Sequence, residues 1–357
     1  MRIRSFILLT VLALVLAACG GAGGEDTTTT STEAIETTTT APAVESVQLS
    51  YTLEPGTSHQ YEVDMNQTID LSTSGETGAL GEEDDLPGNM SLLITGTTLF
   101  TYAVAEGPED GTFEVTITGD FTDLEFSGTI DGEPVDPSEI PELAELEPVD
   151  TTIVVDDQGN VIPEDSSTED VFGGLGGLGM LEGFGAATPG QFVGPSLSED
   201  EVSVGDTWTE TVETPMMPEQ DPVVTDVESE VVSTDTVDGS EVFVIDTNST
   251  TSAFEFDLAE LLIGFMTAFV PDDASEEERA ELDAMVEQIR FAFAVDETTS
   301  NMTTWFDPAE GVSRRSEFNS ETHMVMDVNI PDEATGELVG FAMDMTVGQD
   351  VTYRLTD

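Results

Sequence analysis

The sequence predicts a mainly β protein of the α+β class: one large antiparallel sheet or half-barrel built from two repeats, with a helical hairpin packed on one face. Three observations lead there. Long stretches alternate apolar and polar residues, which is the period of a half-buried strand. Asp-Gly and Pro-Gly pairs punctuate those stretches as turns. A single region, about 257–293, changes to helical spacing.

From Val47 onward the strand pattern is continuous. Tyr51 to Leu53 leads through Pro55-Gly56 into Tyr61, Val63 and Met65. Leu99 to Val104 and Thr112 to Thr118 flank Gly107-Pro-Glu-Asp-Gly111, a hairpin signal. A second hairpin is expected from Thr152–Val155 to Asn160–Ile162 across Asp156-Asp-Gln-Gly159. The same order of events then recurs. Val204-Gly-Asp-Thr-Trp208 answers the Pro-Gly entry, and Val227–Val232, Asp238-Gly239 and Glu241–Ile245 answer the first hairpin. Thr304 to Val312, across Asp307-Pro-Ala-Glu-Gly311, answers the second. Two repeats of about 150 residues follow from this, 47–195 and 196–357.

The helical excursion has two parts. Leu258, Leu261, Leu262, Phe265, Met266 and Phe269 make one broad apolar face, opened by a capping-box pair, Asp257 and Glu260. Pro271 breaks the run. Ser275 with Glu278 opens a second helix whose stripe is Leu282, Met285, Val286, Ile289 and Phe293. The matching stretch of the first repeat, Val171 to Phe184, is glycine-rich and apolar, which suits a loop over a greasy surface and not a rigid helix.

The chain opens with Arg2 and Arg4, then an apolar run from Phe6 to Leu16 broken by Thr10, then Ala17, Ala18 and Cys19. A basic start, a short apolar segment and small residues before a cleavage point describe a secretory signal over 1–18. The run is too short to span a bilayer, which takes about 20 apolar residues. Residues 19–46 are rich in Gly and Thr, acidic and aperiodic, the composition of a disordered tether. The stretch Leu16-Ala17-Ala18-Cys19 resembles the lipobox of bacterial membrane-anchored lipoproteins. That resemblance implies cleavage before Cys19, a diacylglycerol thioether on its sulfur and an acylated amino terminus, palmitate being a usual chain. Two or three acyl chains suffice for stable anchoring. The expected location is therefore the cell membrane, lipid-anchored on the extracytoplasmic side.

Cys19 is the only cysteine of 357 residues. A mature domain without other thiols has no disulfide, no cysteine-ligated metal and no thiol nucleophile. The 75 acidic residues face 7 basic ones, all arginine, for a formal net charge of −68. Such a surface repels phosphate backbones and anionic headgroups, which argues against nucleic-acid partners and charge-driven membrane docking. The absence of lysine removes Schiff-base and Ser–Lys chemistry. Divalent cations are expected to associate weakly, by charge alone. No defined metal site and no cofactor is expected.

Motifs for catalysis are thin. Gly174-Leu-Gly176-Gly-Leu-Gly179 matches a dinucleotide fingerprint in letters but lacks the preceding strand and the βαβ context. His59 and His323 are the two histidines, and neither a G-x-S-x-G elbow nor H-E-x-x-H accompanies them. Met324 and Met326 share one strand face, as do Met343 and Met345, with His323 pointing the other way. Methionine fills irregular cores and lines adaptable surfaces, and binds Cu(I) far less commonly.

Long alternating strands, the Asp307–Gly311 hairpin and the apolar helices together resemble the LolA/LppX-like lipid-carrier lipoproteins. The resemblance implies a half-barrel closed by helices around a lipid. Three readings result. One is a non-enzymatic binding or envelope-interaction module with an envelope protein as partner. Another is a carrier whose cavity holds a lipid or other apolar ligand, lined by Leu261, Leu262, Phe265, Met266, Phe269, Met285, Ile289, Met324, Met326, Met343 and Met345. The third is a carboxylate-based hydrolase.

Overall fold

The computed structural model describes residues 46–75, 88–109, 111–120, 124–135, 149–156, 195–214, 222–257, 290–331 and 338–356. Their regular structure is all strand. In chain order the strands are β1 (Val47–Gln48), β2 (Ser58–Gly75), β3 (Asn89–Glu106), β4 (Phe113–Asp120), β5 (Leu124–Ile130), β6 (Glu133–Pro134), β7 (Val149–Val155) and β8 (Glu201–Val202). There follow β9 (Thr207–Thr214), β10 (Val223–Val237), β11 (Ser240–Thr251), β12 (Phe254–Asp257), β13 (Arg290–Val295), β14 (Thr298–Asp307), β15 (Val312–Pro331) and β16 (Leu338–Leu355).

Fourteen strands form one antiparallel sheet with the path β6-β5-β3-β2-β16-β15-β14-β11-β10-β9. Strands from both ends of the chain therefore share a single sheet: β2 lies beside β16, from Tyr61↔Leu355 to Gly75↔Phe341. Two long strands are each flanked by two shorter ones on one edge. β3 carries β5 along Met90–Gly96 and β4 along Leu99–Glu106. β15 carries β14 on its first half and β13 on Met324–Asn329. β4 in turn pairs with β7, and β13 with β12.

The turns explain the hairpins. Asp238 and Gly239, both at positive φ (52° and 92°), join β10 to β11 in the geometry a two-residue hairpin needs. Asp131-Gly132 repeats it between β5 and β6. At the β14–β15 turn, Gly311 has φ 64°, and a Cβ there would meet the Thr52 backbone nitrogen at 2.5 Å. That close approach lets Thr52 N–H donate to Gly311 O at 2.9 Å, fastening the amino-terminal segment to the turn.

A two-stranded sheet, β1 with β8, sits on this end. Its flanking residues Leu49, Tyr51 and Leu197 bury against Val231, Phe243, Ile245 and Phe306. The Tyr51 and Phe306 rings meet edge to face at 5.4 Å. The Tyr51 hydroxyl donates to Pro195 O at 2.8 Å, so burial of its polar tip is compensated.

The helical hairpin expected over 257–293 is corrected at both ends. Phe254–Asp257 and Arg290–Val295 are paired strands, with Asp257 opposite Ala292 and Phe256 opposite Phe293. Ile289 and Phe293 do fit a helical stripe, but Phe291-Ala-Phe-Ala-Val295 also alternates with period two, and the free edge of β15 beyond Ser320 takes it as a strand. The rest of that hairpin, 258–289, lies outside the described residues, as do the signal and tether with Cys19, the Gly-rich stretch 171–184 and the second arm of the hairpin after Val155.

Candidate functional site

The large sheet has one exposed and one buried face. On the exposed face stand Asp64, Asn66, Asp70, Asp344, Asp350, Asn319, Glu321 and Asp327. A strand that met lipid would carry apolar residues there. The arginines with described side chains are all paired and lie near the β14–β15 turn. Arg315 and Arg354 face each other across β15 and β16, Arg315 bonding Glu317 and stacking on Trp305 at 4.8 Å. Arg354 reaches Asp64 at 2.5 Å and Glu62 at 3.4 Å. Arg314 holds Asp307 at 3.0 Å and Glu310 at 2.6 Å.

The buried face is read best as rows crossing the sheet. One apolar row is Met90–Leu71–Met345–Met324–Val295–Phe254, and the next, which starts at Thr73, runs Met343–Met326–Phe293. The four methionines singled out in the sequence are thus brought together as two cross-strand pairs, all buried, within one cluster that includes Phe293, Phe341 and Val328. Leu261, Leu262, Phe265, Met266, Phe269, Met285 and Ile289 lie outside the described residues.

Toward the other end the rows become polar. Gln67–Gln349–Ser320–Ser300–Ser249 run side by side across five strands. All but the half-buried Ser300 are buried, as are the adjoining Thr225, Thr251, Thr298 and Thr322. Some of these hydroxyls satisfy one another, as Thr225 does with Thr251 at 2.9 Å. Two amide atoms do not. Gln67, 1% exposed, has its Nε2 without a partner among the described residues, and Gln349, 5% exposed, has its Oε1 in the same state. Beyond this band the face turns apolar again with Met65, Val351, Phe318 and Met302.

Sequence reasoning passed over this band. The signal was present in the strand phase: Gln67 has the parity of Val63, Met65, Ile69 and Leu71, and Gln349 that of Met345, Val347 and Val351. A polar residue in an apolar phase is a buried polar residue.

Elsewhere the titratable groups serve the architecture. His323 lies on the exposed face, its Nδ1 2.7 Å from Asp296 and its Nε2 3.2 Å from Asp344. The bond to Asp296 raises its pKa; partial burial opposes this, and Asp344 adds to the rise. A raised folded value means that this pairing stabilises the fold fully below the ordinary histidine value of about 6.5 and less as pH climbs through the folded value. The group is well exposed, so screening limits the effect to below about 1 kcal/mol. His323→Gln is expected to shrink the fall in Tm between pH 6 and pH 9, measured by thermal unfolding beside the parent chain. An identical fall in both proteins would show that the clip between the β13 end, β15 and β16 adds nothing.

His59 lines a crevice with Tyr51, Tyr61, Tyr102 and Ser313, whose volume of about 20 Å³ has room for a single water. Burial pushes the Tyr51, Tyr61 and Tyr102 hydroxyls far above their ordinary range, and Tyr353 up to about 12. None of these phenols exchanges protons near neutral pH. Among the described residues no group of three metal-ligating side chains forms.

Comparison with known proteins adds little. No family model matches the chain, and no curated protein matches it. Among solved structures, lipovitellin is similar at 10% identity with a TM-score of 0.31, over 85% of this chain and 25% of the lipovitellin chain. Pseudomonas aeruginosa OccK5 is similar at 5% identity and TM-score 0.19, covering 83% of this chain and 98% of its own. An outer membrane channel from Pseudomonas putida F1 is similar at 8% identity and TM-score 0.17, over 84% and 97%. This chain spans a quarter of the lipovitellin chain, and likenesses this slight carry no function with them.

Proposed function

We propose that the protein is a non-enzymatic binding module, held on the extracytoplasmic side of the membrane by acyl chains on Cys19, that takes an apolar or amphipathic molecule against the buried face of its sheet. The observation that carries this reading is the zoning of that face: paired Met324/Met345 and Met326/Met343 with Phe293 at one end, and a polar band with unpaired amide atoms beside them. Methionine-rich surfaces adapt to apolar partners. The equal pairing order β2-β3-β4-β7 and β9-β10-β11-β14 supports construction from two repeats.

Against hydrolysis stands the fate of the carboxylates. Among the described residues, Asp307 is the only acidic side chain that is buried, and it is committed to Arg314 and to the Ala309 and Glu310 N–H groups. A glycosidase needs two carboxyl groups converging in a cleft.

The test is native mass spectrometry of the mature chain, residues 19–357 with Cys19→Ser, purified without detergent and then extracted with organic solvent. A reproducible mass excess that extracts as an apolar molecule is the expected result. A bare mass, unchanged after incubation with vesicles of phosphatidylethanolamine and diacylglycerol, would replace the ligand-binding reading with a fully packed module that docks an envelope protein.

A further inference from the structure

Resting on the binding reading above, the remaining question is what kind of polar group the ligand carries. Gln67 on β2 and Gln349 on β16 stand directly opposite each other on the buried face. Both are more than nine-tenths buried, yet a donor, Gln67 Nε2, and an acceptor, Gln349 Oε1, lack partners among the described residues. Buried amide atoms are nearly always paired with protein or ordered water, so an unpaired donor and an unpaired acceptor on residues directly opposite each other call for an occupant. The occupant must accept one hydrogen bond and donate another, as a water, or a ligand hydroxyl or amide that displaces it, does.

Charge narrows the choice. The arginines with described side chains are engaged elsewhere: Arg315 and Arg354 with acids on the exposed face, Arg314 with Asp307 at the turn. A carboxylate or phosphate placed on the glutamines would be desolvated with no described arginine side chain free to pair it, inside a chain of net charge −68. An ammonium group would find no buried carboxylate in the band either, since its members are Gln, Ser and Thr.

Length and direction come from the rows. From Gln349 to Met343 is six residues of β16, about 20 Å at ~3.3 Å per residue. That path crosses Val347 with Ile69, then Met345 with Met324, then Met343 with Met326. It is a run of buried apolar side chains of the length of an extended long-chain acyl group, beginning at a neutral hydrogen-bonding seat, which a bound chain would have to part.

We propose that Gln67 and Gln349 seat the uncharged hydroxyl or amide of a neutral amphipathic lipid whose chain lies along the methionine rows. The experiment compares three probes of one chain length, 1-monooleoylglycerol, oleate and methyl oleate, titrated into the mature chain with Cys19→Ser and read by native mass spectrometry. Monooleoylglycerol is expected to bind about tenfold more tightly than either other probe, the worth of one or two hydrogen bonds. In Q67M/Q349M that preference should collapse to within about twofold, with monooleoylglycerol losing more affinity than methyl oleate, because the first can use both the free donor and the free acceptor and the second only the donor. If the double variant fails to fold, Q67M and Q349M taken singly should each lower the preference.

Equal binding of the three probes, or a preference that survives the glutamine substitutions, would overturn the seat while leaving an apolar-ligand module in place. Tighter binding of oleate would overturn the neutral class. Binding of no probe at all would remove the ligand reading and this assignment with it.

Discussion

Replacing Asp307 by alanine should cost about 3–5 kcal/mol of stability, the loss typical when one member of a buried ion pair is removed and the other stays. Asp307 is 1% exposed. Its carboxylate accepts from the Ala309 N–H at 2.9 Å, the Glu310 N–H at 3.1 Å and the Arg314 guanidinium at 3.0 and 3.2 Å. It closes the β14–β15 turn and, through Arg314, ties it to Ser240 at the start of β11. Burial alone would push this carboxyl up. The bonds from Arg314, from the Glu310 and Ala309 N–H groups and from Ser240 outweigh burial and hold it below its ordinary value. A depressed folded value contributes stability that is present above the unfolded carboxyl value, about 3.9, and is lost as pH falls through the folded one. Urea unfolding at pH 7 and pH 3 checks both parts. The parent chain should lose more stability on acidification than Asp307→Ala does. Equal losses, or a penalty under about 1 kcal/mol at pH 7, would show that the turn stands without its ion pair.

Phe293→Ala should cost a similar amount, about 3–5 kcal/mol, by a different mechanism. The ring is 1% exposed and lies in the methionine cluster, opposite Met326 on β15. Deleting it forfeits transfer free energy and leaves a cavity that flanking strands can only partly close. Phe293→Leu should cost less than about 1.5 kcal/mol, because methionines re-pack around a smaller apolar group. The measurement is the shift in denaturation midpoint at unchanged m, which separates lost packing from a changed unfolded state. A cost for Phe293→Ala no larger than that for Phe293→Leu would mean that the ring is not close-packed in the ligand-free protein and that the row already leaves room for a chain.

Strand phase was legible where it depended on neighbours in the chain. Met324, Met326, Met343 and Met345 declared a common face by alternation, and they occupy it. Asp238-Gly239 declared a two-residue turn, because only such pairs tolerate positive φ at both positions. Residues 290–295 were misread because Ile289 and Phe293 satisfy a helical period while Phe291, Phe293 and Val295 satisfy a strand period. The deciding partner, the edge of β15 at Met324–Asn329, lies about thirty residues away in sequence. Asp307 was visible as a turn residue, but its burial and its arginine were not.

The sequence by itself determined that most of the chain alternates as strands, that Asp238-Gly239 turns a hairpin, and that Met324, Met326, Met343 and Met345 share one face. These are local properties, set by side-chain direction along an extended backbone and by the φ that Gly and Asp permit. Only the tertiary structure decided that β16 closes against β2, that β3 and β15 each carry two partners on one edge, and that Gln67 meets Gln349 with three serines in line. Register between strands nearly three hundred residues apart follows from which rows can be desolvated together. That is a property of the assembled face and not of any one strand.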